Sequence, residues 1–404
     1  MGLYTELEND LRALRHDLHR HPEIGFDLDY TRGEVRKWLE RCPPSQIIEP
    51  GGGILASYWP EDLSQEDQNK GLLIRVDMDA LPIDDKSGSE YASEVEGRGH
   101  QCGHDGHTVI GCAVAAAVHY IAQEGHLNQA VHIIFQPSEE NGQGAKAVLD
   151  DPLFDLEPDH VVALHNIPGA PLGSILSKPN DFTPHVISVD IELMGAEAHA
   201  AQPDTGILPH RAVQEIIGYF DGLHKQKIKD RIAKNDFVVA PIFIEMGERA
   251  YGTAAGQASM GYTVRSRQSD TLDQRIEEIT DALENIAKRH KLKVHCRWHE
   301  AFEANHNDPA TVTALEQAWQ MTDLKVKSLD KVFSWGEDFG CFSQRFRGAM
   351  FGLGAGEDCP PLHRPEYDFP DSSIKPGYIS FTSFIISQTG LTAELQSKLL
   401  RSLS

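Results

Sequence analysis

The run Gly71-Leu-Leu-Ile-Arg-Val-Asp77 is the clearest indication of the fold, because it is short, almost wholly apolar and ends in a polar residue. Residues 130–136, 161–165 and 349–354 form runs of the same kind. Such runs are typical of strands buried on both faces of a parallel sheet. The Ala- and Val-rich stretch 108–123 predicts a buried helix between the first two. This alternation indicates an α/β domain with a mixed, largely parallel sheet.

The pattern changes near residue 185, where Ile187, Val189, Ile191 and Leu193 alternate along one face of a predicted strand. The following apolar patterns predict a helix at 212–223, strands at 237–246 and 257–264, a helix at 272–286 and a strand at 292–298. The order β-α-β-β-α-β is that of a ferredoxin-like α+β sandwich. We therefore expect a two-domain protein, with residues 1–184 and 299–404 forming a catalytic domain and residues 185–298 an inserted satellite domain.

Composition narrows the class of protein. The 404 residues include 37 basic and 61 acidic side chains, and the formal charge of −24 disfavours binding to nucleic acids or anionic membranes. No apolar run approaches the roughly 20 residues that span a bilayer. The six scattered cysteines argue against a disulfide framework, and no export signal is visible, so we expect a cytoplasmic protein.

The densest chemical motif is His100-Gln-Cys102-Gly-His104-Asp-Gly-His107, which combines a thiol, imidazoles and a carboxylate. On a turning backbone, Cys102 and His104 can face one metal ion, and Gly103 allows the unusual dihedral angles that such a turn needs. A polar loop with one buried cysteine would also explain the motif by itself. The residues downstream of it favour the metal.

Two adjacent acids, Glu139 and Glu140, follow a predicted strand. One can bind metal while the other accepts a proton from water and passes it to the leaving amine. His165 ends another strand, and His363 follows a glycine-rich run. Five residues can thus supply ligands to two divalent ions, and they are Cys102, His104, Glu140, His165 and His363. This mixture of ligands suits Zn²⁺, Mn²⁺, Co²⁺ or Ni²⁺.

The chain resembles the M20 peptidase family along nearly its whole length, in the branch of aminoacylases, hippurate hydrolases and auxin-conjugate amidohydrolases. The resemblance lies in ordered motifs, which are Leu18-His-Arg-His-Pro-Glu-Ile-Gly25, Arg75-Val-Asp-Met-Asp-Ala-Leu-Pro-Ile83, the 102–107 run, Gln136-Pro-Ser-Glu-Glu140, Ala163-Leu-His-Asn166, Gly336-Glu-Asp-Phe339, and Gly352-Leu-Gly-Ala-Gly356 leading to His363. It implies a metal-dependent amidohydrolase that cleaves a small N-acyl amino acid, with a satellite domain that can form a homodimer.

The resemblance also implies roles for single residues. Cys102 would bridge the two metals, Glu139 would be the general base, and Asp79 would orient a ligand or the base. His199, in Gly195-Ala-Glu-Ala-His199, would help to bind substrate and stabilise the oxyanion. Two segments depart from the family pattern, because Gly195-Ala-Glu-Ala198 replaces Gly-Lys-Gly-Gly and Tyr251-Gly-Thr-Ala-Ala-Gly256 replaces the segment with Asn-Val-Ile-Pro. These departures concern substrate preference rather than metal binding.

Two alternatives stay open at this stage. A metallo-dipeptidase or aminopeptidase would use the same metals but accept a free amino terminus, for which no dedicated acid stands out in the sequence. A non-catalytic binding protein would keep the metals for structure alone. Glu139 beside Glu140 argues against the second alternative, because a closed structural site needs no extra acid.

Overall fold

The computed structural model describes residues 2–228, 238–266 and 269–404. The chain folds into two compact units. The larger unit comprises Met1–Phe182, Asn305–Val332 and Glu337–Ser404, and the smaller one Thr183–Ala304 and Phe333–Gly336. Among the described residues, no helix combines the length and the apolar character needed to cross a bilayer.

The strands of the described residues are β1 Gln46–Ile48, β2 Ile54–Tyr58, β3 Leu72–Asp77, β4 Val131–Gln136, β5 His160–Pro168, β6 Ile175–Ser177, β7 Asn180–Thr183, β8 His185–Met194, β9 Ala198–His199, β10 Val238–Met246, β11 Thr253–Ala254, β12 Gln257–Ser266, β13 Lys293–Phe302, β14 Asn305–Asn307, β15 Val326–Ser328 and β16 Gly348–Gly356. The α-helices are α1 Leu3–Arg20, α2 Asp29–Leu39, α3 His104–Gln123, α4 Gly144–Asp150, α5 His210–Ile228, α6 Ser269–Arg289, α7 Pro309–Trp319, α8 Gly340–Arg345, α9 Ile374–Ser387 and α10 Ala393–Leu403.

The larger unit is built on an eight-stranded sheet with the order β1-β2-β4-β3-β5-β16-β6-β15. Its centre, β4-β3-β5-β16, is parallel, whereas β2 and β6 run antiparallel to their neighbours β4 and β16. Every residue of β3 and β4 is buried, as expected for strands covered on both faces. The prediction of an α/β domain with a mixed, largely parallel sheet is confirmed.

Helix α3 is the buried helix that the sequence predicts, but it begins at His104 instead of Thr108. Gly103 precedes it with φ +86°, a left-handed conformation that glycine adopts without strain. Asp105 lies in the first turn, where a negative charge is favourable at the helix amino terminus. The earlier start places His104 and His107 on one face of the first turn.

The smaller unit contains an antiparallel sheet with the order β10-β12-β8-β13, together with helices α5 and α6. Along the chain these elements follow the order β-α-β-β-α-β, and the sheet has the strand order of a ferredoxin-like fold. Val189, Ile191 and Leu193 are fully buried on the face of β8 that the alternation predicts. Phe237, at the start of one predicted strand, lies outside the described residues.

Candidate metal centre

The predicted site residues of the larger unit gather where parallel strands end. Asp77 ends β3, Gln136 ends β4 shortly before Glu139 and Glu140, and His165 lies within β5. Since β3 runs parallel to both β4 and β5, the carboxyl ends of these strands meet at one edge of the sheet, where open α/β sheets bind ligands. The topology therefore brings together residues that are far apart in sequence.

Cys102 is common to two groups of metal-binding side chains. One group joins Cys102 with His104 and His165, and the other joins it with Glu140 and His363. Within each group the ligand atoms lie within 4.8 Å of one another. The Cys102 Sγ and His165 Nε2 atoms are 3.6 Å apart. The five residues predicted as ligands thus lie close enough to one another, within each group, to bind metal ions. The Cys102 thiol belongs to both groups.

Hydrogen bonds fix the ring orientation of two of these histidines. His104 Nδ1 donates to the carbonyl oxygen of Asp79 at 2.9 Å, and His165 Nδ1 donates to that of Asn166 at 2.9 Å. When Nδ1 carries the proton, the neutral imidazole presents Nε2 as a lone-pair donor. The backbone therefore selects the tautomer in which Nε2 of each ring can bind a metal.

Asp79 holds the segment that carries the two adjacent glutamates. Its Oδ1 accepts the backbone N–H of Glu139 at 3.0 Å, and its Oδ2 accepts that of Glu140 at 3.1 Å. Ser138, directly before them, has φ +56°, a conformation that is strained for a residue other than glycine. The carboxylate of Asp79 thus stabilises an uncommon turn that directs both glutamates toward the cluster.

The charges of the cluster fit a bound cation. Among the described residues, His104 Nε2 and Glu140 Oε1 are buried without a hydrogen-bond partner. Burial and then the nearby Glu140 and Glu139 carboxylates raise the pKa of the Cys102 thiol well above its usual value. Burial, together with Asp79, raises the pKa of Glu140 to about 7. Divalent ions bound by the thiolate, imidazole and carboxylate groups would compensate this excess of negative charge.

His107 belongs to the same sequence motif but has a different role. Its Nδ1 donates to Asp77 Oδ1 at 2.6 Å, and its Nε2 accepts the backbone N–H of Asn166 at 3.2 Å. Both ring nitrogens are therefore used inside the protein. His107 supports the segment that bears His165 instead of belonging to either group that contains Cys102.

A buried ionic network behind Glu139 could not be predicted from sequence patterns. Arg75 Nη2 contacts Glu337 at 3.0 Å and Asp338 at 2.7 Å, and all three side chains are fully buried. Carboxylate oxygens of Glu139, Glu337 and Asp338 lie within 4.8 Å of one another. The motif Gly336-Glu-Asp-Phe339 marks these acids in the sequence, but it does not indicate that Asp338 pairs with Arg75, 263 residues away.

His199 lies in the smaller unit, on the short strand β9, where it is exposed. Its Nδ1 accepts the backbone N–H of Ala201 at 3.1 Å, so the proton of the neutral ring is on Nε2. Strand β9 pairs with β11, and His199 stands opposite Thr253. The two segments that depart from the family pattern therefore form one small ribbon around His199.

Comparison with known proteins gives a consistent result. Residues 73–387 match the profile described as peptidase family M20/M25/M40. The chain is 27% identical to the N-acetyl-L-cysteine deacetylase of Bacillus subtilis (strain 168), over 94% of this chain and 88% of that protein. It is 26% identical to the N-acetyldiaminopimelate deacetylase of Lacticaseibacillus casei (strain BL23), over 94% of this chain and 97% of that protein.

Solved structures agree with the fold. A Bacillus subtilis protein described as a dinuclear metal-binding peptidase from the M20 family superposes with a TM-score of 0.76 at 24% identity, covering 94% of this chain and 98% of that one. The aminobenzoyl-glutamate utilization protein of Klebsiella pneumoniae superposes with a TM-score of 0.69 at 20% identity, covering 94% and 97%. Both share the architecture described above.

Proposed function

The chain belongs to peptidase family M20/M25/M40, and from this membership we propose that it cleaves the amide bond of a small N-acylated amino acid at a two-metal centre. The protein is a metal-dependent amidohydrolase. The observation that carries the proposal is the position of Cys102, whose Sγ belongs both to the group with His104 and His165 and to the group with Glu140 and His363. A thiolate in that position can bridge two divalent ions.

The proposed metal ligands are the five residues of these two groups, with Zn²⁺, Mn²⁺, Co²⁺ or Ni²⁺ as the ions that their chemistry suits. When bound, two such ions act as Lewis acids toward the amide carbonyl and make water acidic enough to lose a proton near neutral pH. Asp79 orients the turn that carries Glu140, and its own carbonyl orients His104. Residues outside the ligand set therefore fix the geometry of the centre.

Glu139 is the proposed general base. It is buried, lies beside Glu140, and has a carboxylate oxygen 3.9 Å from His104 Nε2. A carboxylate so close to the ligands can accept the proton of the attacking water and then deliver it to the departing nitrogen. Asp79 helps to fix the position of Glu139 by accepting its backbone N–H.

His199 is the proposed donor to the developing oxyanion. His199 is exposed and its Nδ1 accepts a backbone N–H, so Nε2 carries the proton and is a hydrogen-bond donor. A donor directed at an oxyanion contributes more in the transition state than in the ground state. The neighbouring ribbon, with Ala198 opposite Ala254, belongs to the proposed determinants of substrate choice.

We also propose that the smaller unit is a satellite domain, residues 185–298, through which two copies form a homodimer. Strand β10 is at an edge of its sheet and exposes the apolar side chains of Ile242, Ile244 and Met246 to 62%, 44% and 46%. An exposed apolar edge is a ready pairing surface. Light scattering after size exclusion tests this, because Ile242→Lys with Ile244→Lys should convert a wild-type dimer to monomer, and a monomeric wild-type protein contradicts it.

The proposed location is the cytoplasm, and the proposed partner is a small molecule only. The six cysteines are widely spaced along the chain, as in proteins of a reducing compartment, and the formal charge of −24 disfavours polyanionic partners. Fractionation of cells that produce the protein tests the location directly.

The decisive experiment measures release of free amino acid from N-acetylcysteine, N-acetyldiaminopimelate, and N-benzoyl and N-acetyl aromatic amino acids. The protein is loaded with Zn²⁺, Mn²⁺ or Co²⁺ and assayed with and without chelator, with unblocked dipeptides in parallel. Release that needs metal and an acylated nitrogen supports the proposal. Cleavage of dipeptides alone identifies a peptidase, and two bound ions without any hydrolysis identify a binding protein.

A further inference from the structure

Arg15 is a buried cation outside the candidate metal centre. It lies on α1 and is 0% exposed. Its guanidinium contacts three carboxylates, with Asp105 at 3.1 Å, Asp368 at 2.9 Å and Asp371 at 2.5 Å. Removing a charge from water is unfavourable, so a buried guanidinium is retained only where such partners compensate it. The planar fork of arginine can contact several carboxylates at once, which an ammonium group cannot do equally well.

The carboxylates that Arg15 contacts come from two segments that carry proposed metal ligands. Asp105 directly follows His104 in the first turn of α3. Asp368 follows His363 by five residues, in the loop that leads to α9. Nη1 of Arg15 contacts both Asp105 and Asp368. A single nitrogen therefore links the segment of one proposed ligand to the segment of another.

The His363 segment depends on such anchoring. The His363 side chain is 53% exposed, and its backbone has φ +63°, a strained conformation for histidine. Its N–H donates to the carbonyl of Gln101 at 2.9 Å, next to Cys102. Further along, the Phe369 ring lies so close to Gly106 that an added Cβ there would be 2.5 Å from it. The loop is thus held against the start of α3 by packing and by the Arg15 contacts.

We propose that Arg15 is a positioning residue of the metal centre, which fixes His104 and His363 relative to each other through Asp105 and Asp368 and thereby increases the affinity for divalent ions. The inference rests on the proposed function, because it takes both histidines as ligands. Helix α1 then has a role in metal binding, although its residues contribute no ligand to the proposed centre. Partners that orient ligands commonly change metal affinity by roughly 10–100-fold when they are removed.

The competing explanation is that Arg15 stabilises the fold and nothing more. Arg15→Lys separates the two, because it keeps the positive charge but ends one bond short of Nη1, the atom that contacts both Asp105 and Asp368. The matched control is Arg12→Lys, the same change on the same helix at a side chain that is 47% exposed. Asp368→Asn is a second variant, at a partly exposed carboxylate, which removes one link without disturbing Arg15 itself.

The experiment titrates Zn²⁺ into each metal-free protein by competition with a chromophoric chelator, and records thermal unfolding of the same samples. We expect Zn²⁺ affinity to fall roughly 10–100-fold in Arg15→Lys, to fall by less in Asp368→Asn, and to stay unchanged in Arg12→Lys. Saturating Zn²⁺ should return kcat to within a few-fold of wild type.

Folded Arg15→Lys and Asp368→Asn proteins with wild-type Zn²⁺ affinity would overturn the inference, even where their unfolding temperatures fall. If Arg15→Lys does not fold, Asp368→Asn decides by the same criterion. The wild-type protein reports on the function separately. Two bound ions with amide hydrolysis support the proposed function whatever the variants do, whereas a wild-type chain that binds none of Zn²⁺, Mn²⁺, Co²⁺ and Ni²⁺ overturns both proposals.

Discussion

The carboxylate of Asp79 accepts the backbone N–H of Glu139 at 3.0 Å, which joins a residue just beyond β3 to the proposed base just beyond β4. The other oxygen of Asp79 accepts the N–H of Glu140 at 3.1 Å. Both oxygens are therefore acceptors, and neither can be replaced by an amide nitrogen without leaving a donor unpaired. The turn that holds the base and a ligand depends on this one side chain.

Asp79→Asn should lower kcat/KM and Zn²⁺ affinity together by roughly 10–100-fold, because its NH₂ group would face one of the two N–H donors. Steady-state kinetics and metal titration measure the two effects. Asp84→Asn is the control, since Asp84 accepts the exposed Gly97 N–H, away from the proposed ligands. Wild-type values for both quantities in Asp79→Asn would show that the turn holds without the carboxylate.

Glu139→Gln should reduce kcat by roughly 10²–10⁴-fold, because the amide cannot accept the proton of water. Bound metal should stay at the wild-type level, measured by atomic emission on the purified protein. Glu140→Gln is the contrasting variant and should lose metal, since Glu140 is a proposed ligand. A fully active Glu139→Gln protein would remove Glu139 from the mechanism.

Cys102→Ala should lower the metal content below two ions per chain and reduce the thermal stabilisation that added metal gives, because ligand binding stabilises only the state that binds. Metal analysis and calorimetry with and without chelator measure these effects. Cys112→Ala provides a matched control at another fully buried cysteine. Equal metal content in the two variants would exclude Cys102 as a ligand.

His19 should make stability fall as the pH rises. Burial alone lowers its pKa, but hydrogen bonds to Asp105 and Asp85 prevail and raise the pKa of His19 to about 9. The folded state therefore keeps a proton that the unfolded chain loses near its ordinary pKa of about 6.5. The stabilisation is complete below pH 6.5 and is lost as the pH rises through 9, which amounts to about 3 kcal/mol.

Urea unfolding of the metal-free protein between pH 6 and pH 9.5 measures this decline, and His19→Gln should flatten it. His306→Gln, at a side chain that is 59% exposed, serves as the control. A His19→Gln protein whose stability changes with pH as steeply as that of the wild type would contradict the assignment.

His132 should have the opposite effect in acid. Burial lowers the pKa of His132 to about 4, and the ring contacts the Ser57 hydroxyl and the Lys70 carbonyl. In the unfolded chain His132 binds a proton near pH 6.5, whereas in the folded state it stays neutral down to about pH 4. Stability is therefore complete above pH 6.5 and falls by about 3 kcal/mol as the pH falls to 4.

His132→Gln keeps a donor and an acceptor without titrating, so its unfolding free energy should vary less between pH 6.5 and pH 4. The measurement is urea unfolding at fixed ionic strength. Parallel pH profiles for this variant and the wild type would show that other groups cause the acid sensitivity.

Sequence patterns were enough to predict the fold class and to name candidate residues for a metal centre. Strands such as β3 and β4 could be predicted because a strand buried on both faces must be apolar throughout. Proposed ligands such as Cys102 and His104 could be named because few residue types bind transition metals, and these two are close together in the chain. The start of α3 was placed four residues late, since the polar residues 104–107 gave no apolar signal for a helix.

The pairing of distant charged residues depends on the three-dimensional fold. Arg75 contacts Asp338 and Arg15 contacts Asp368, pairs separated by 263 and 353 residues. The sequence around each residue does not show such pairs, because the local sequence of an arginine or aspartate does not reveal whether its side chain is solvated or buried. Only the parallel sheet and the helices packed on it bring these residues together, and burial then makes each charge require a partner. Sequence therefore indicated the groups available for the reaction, and packing decided how they are held.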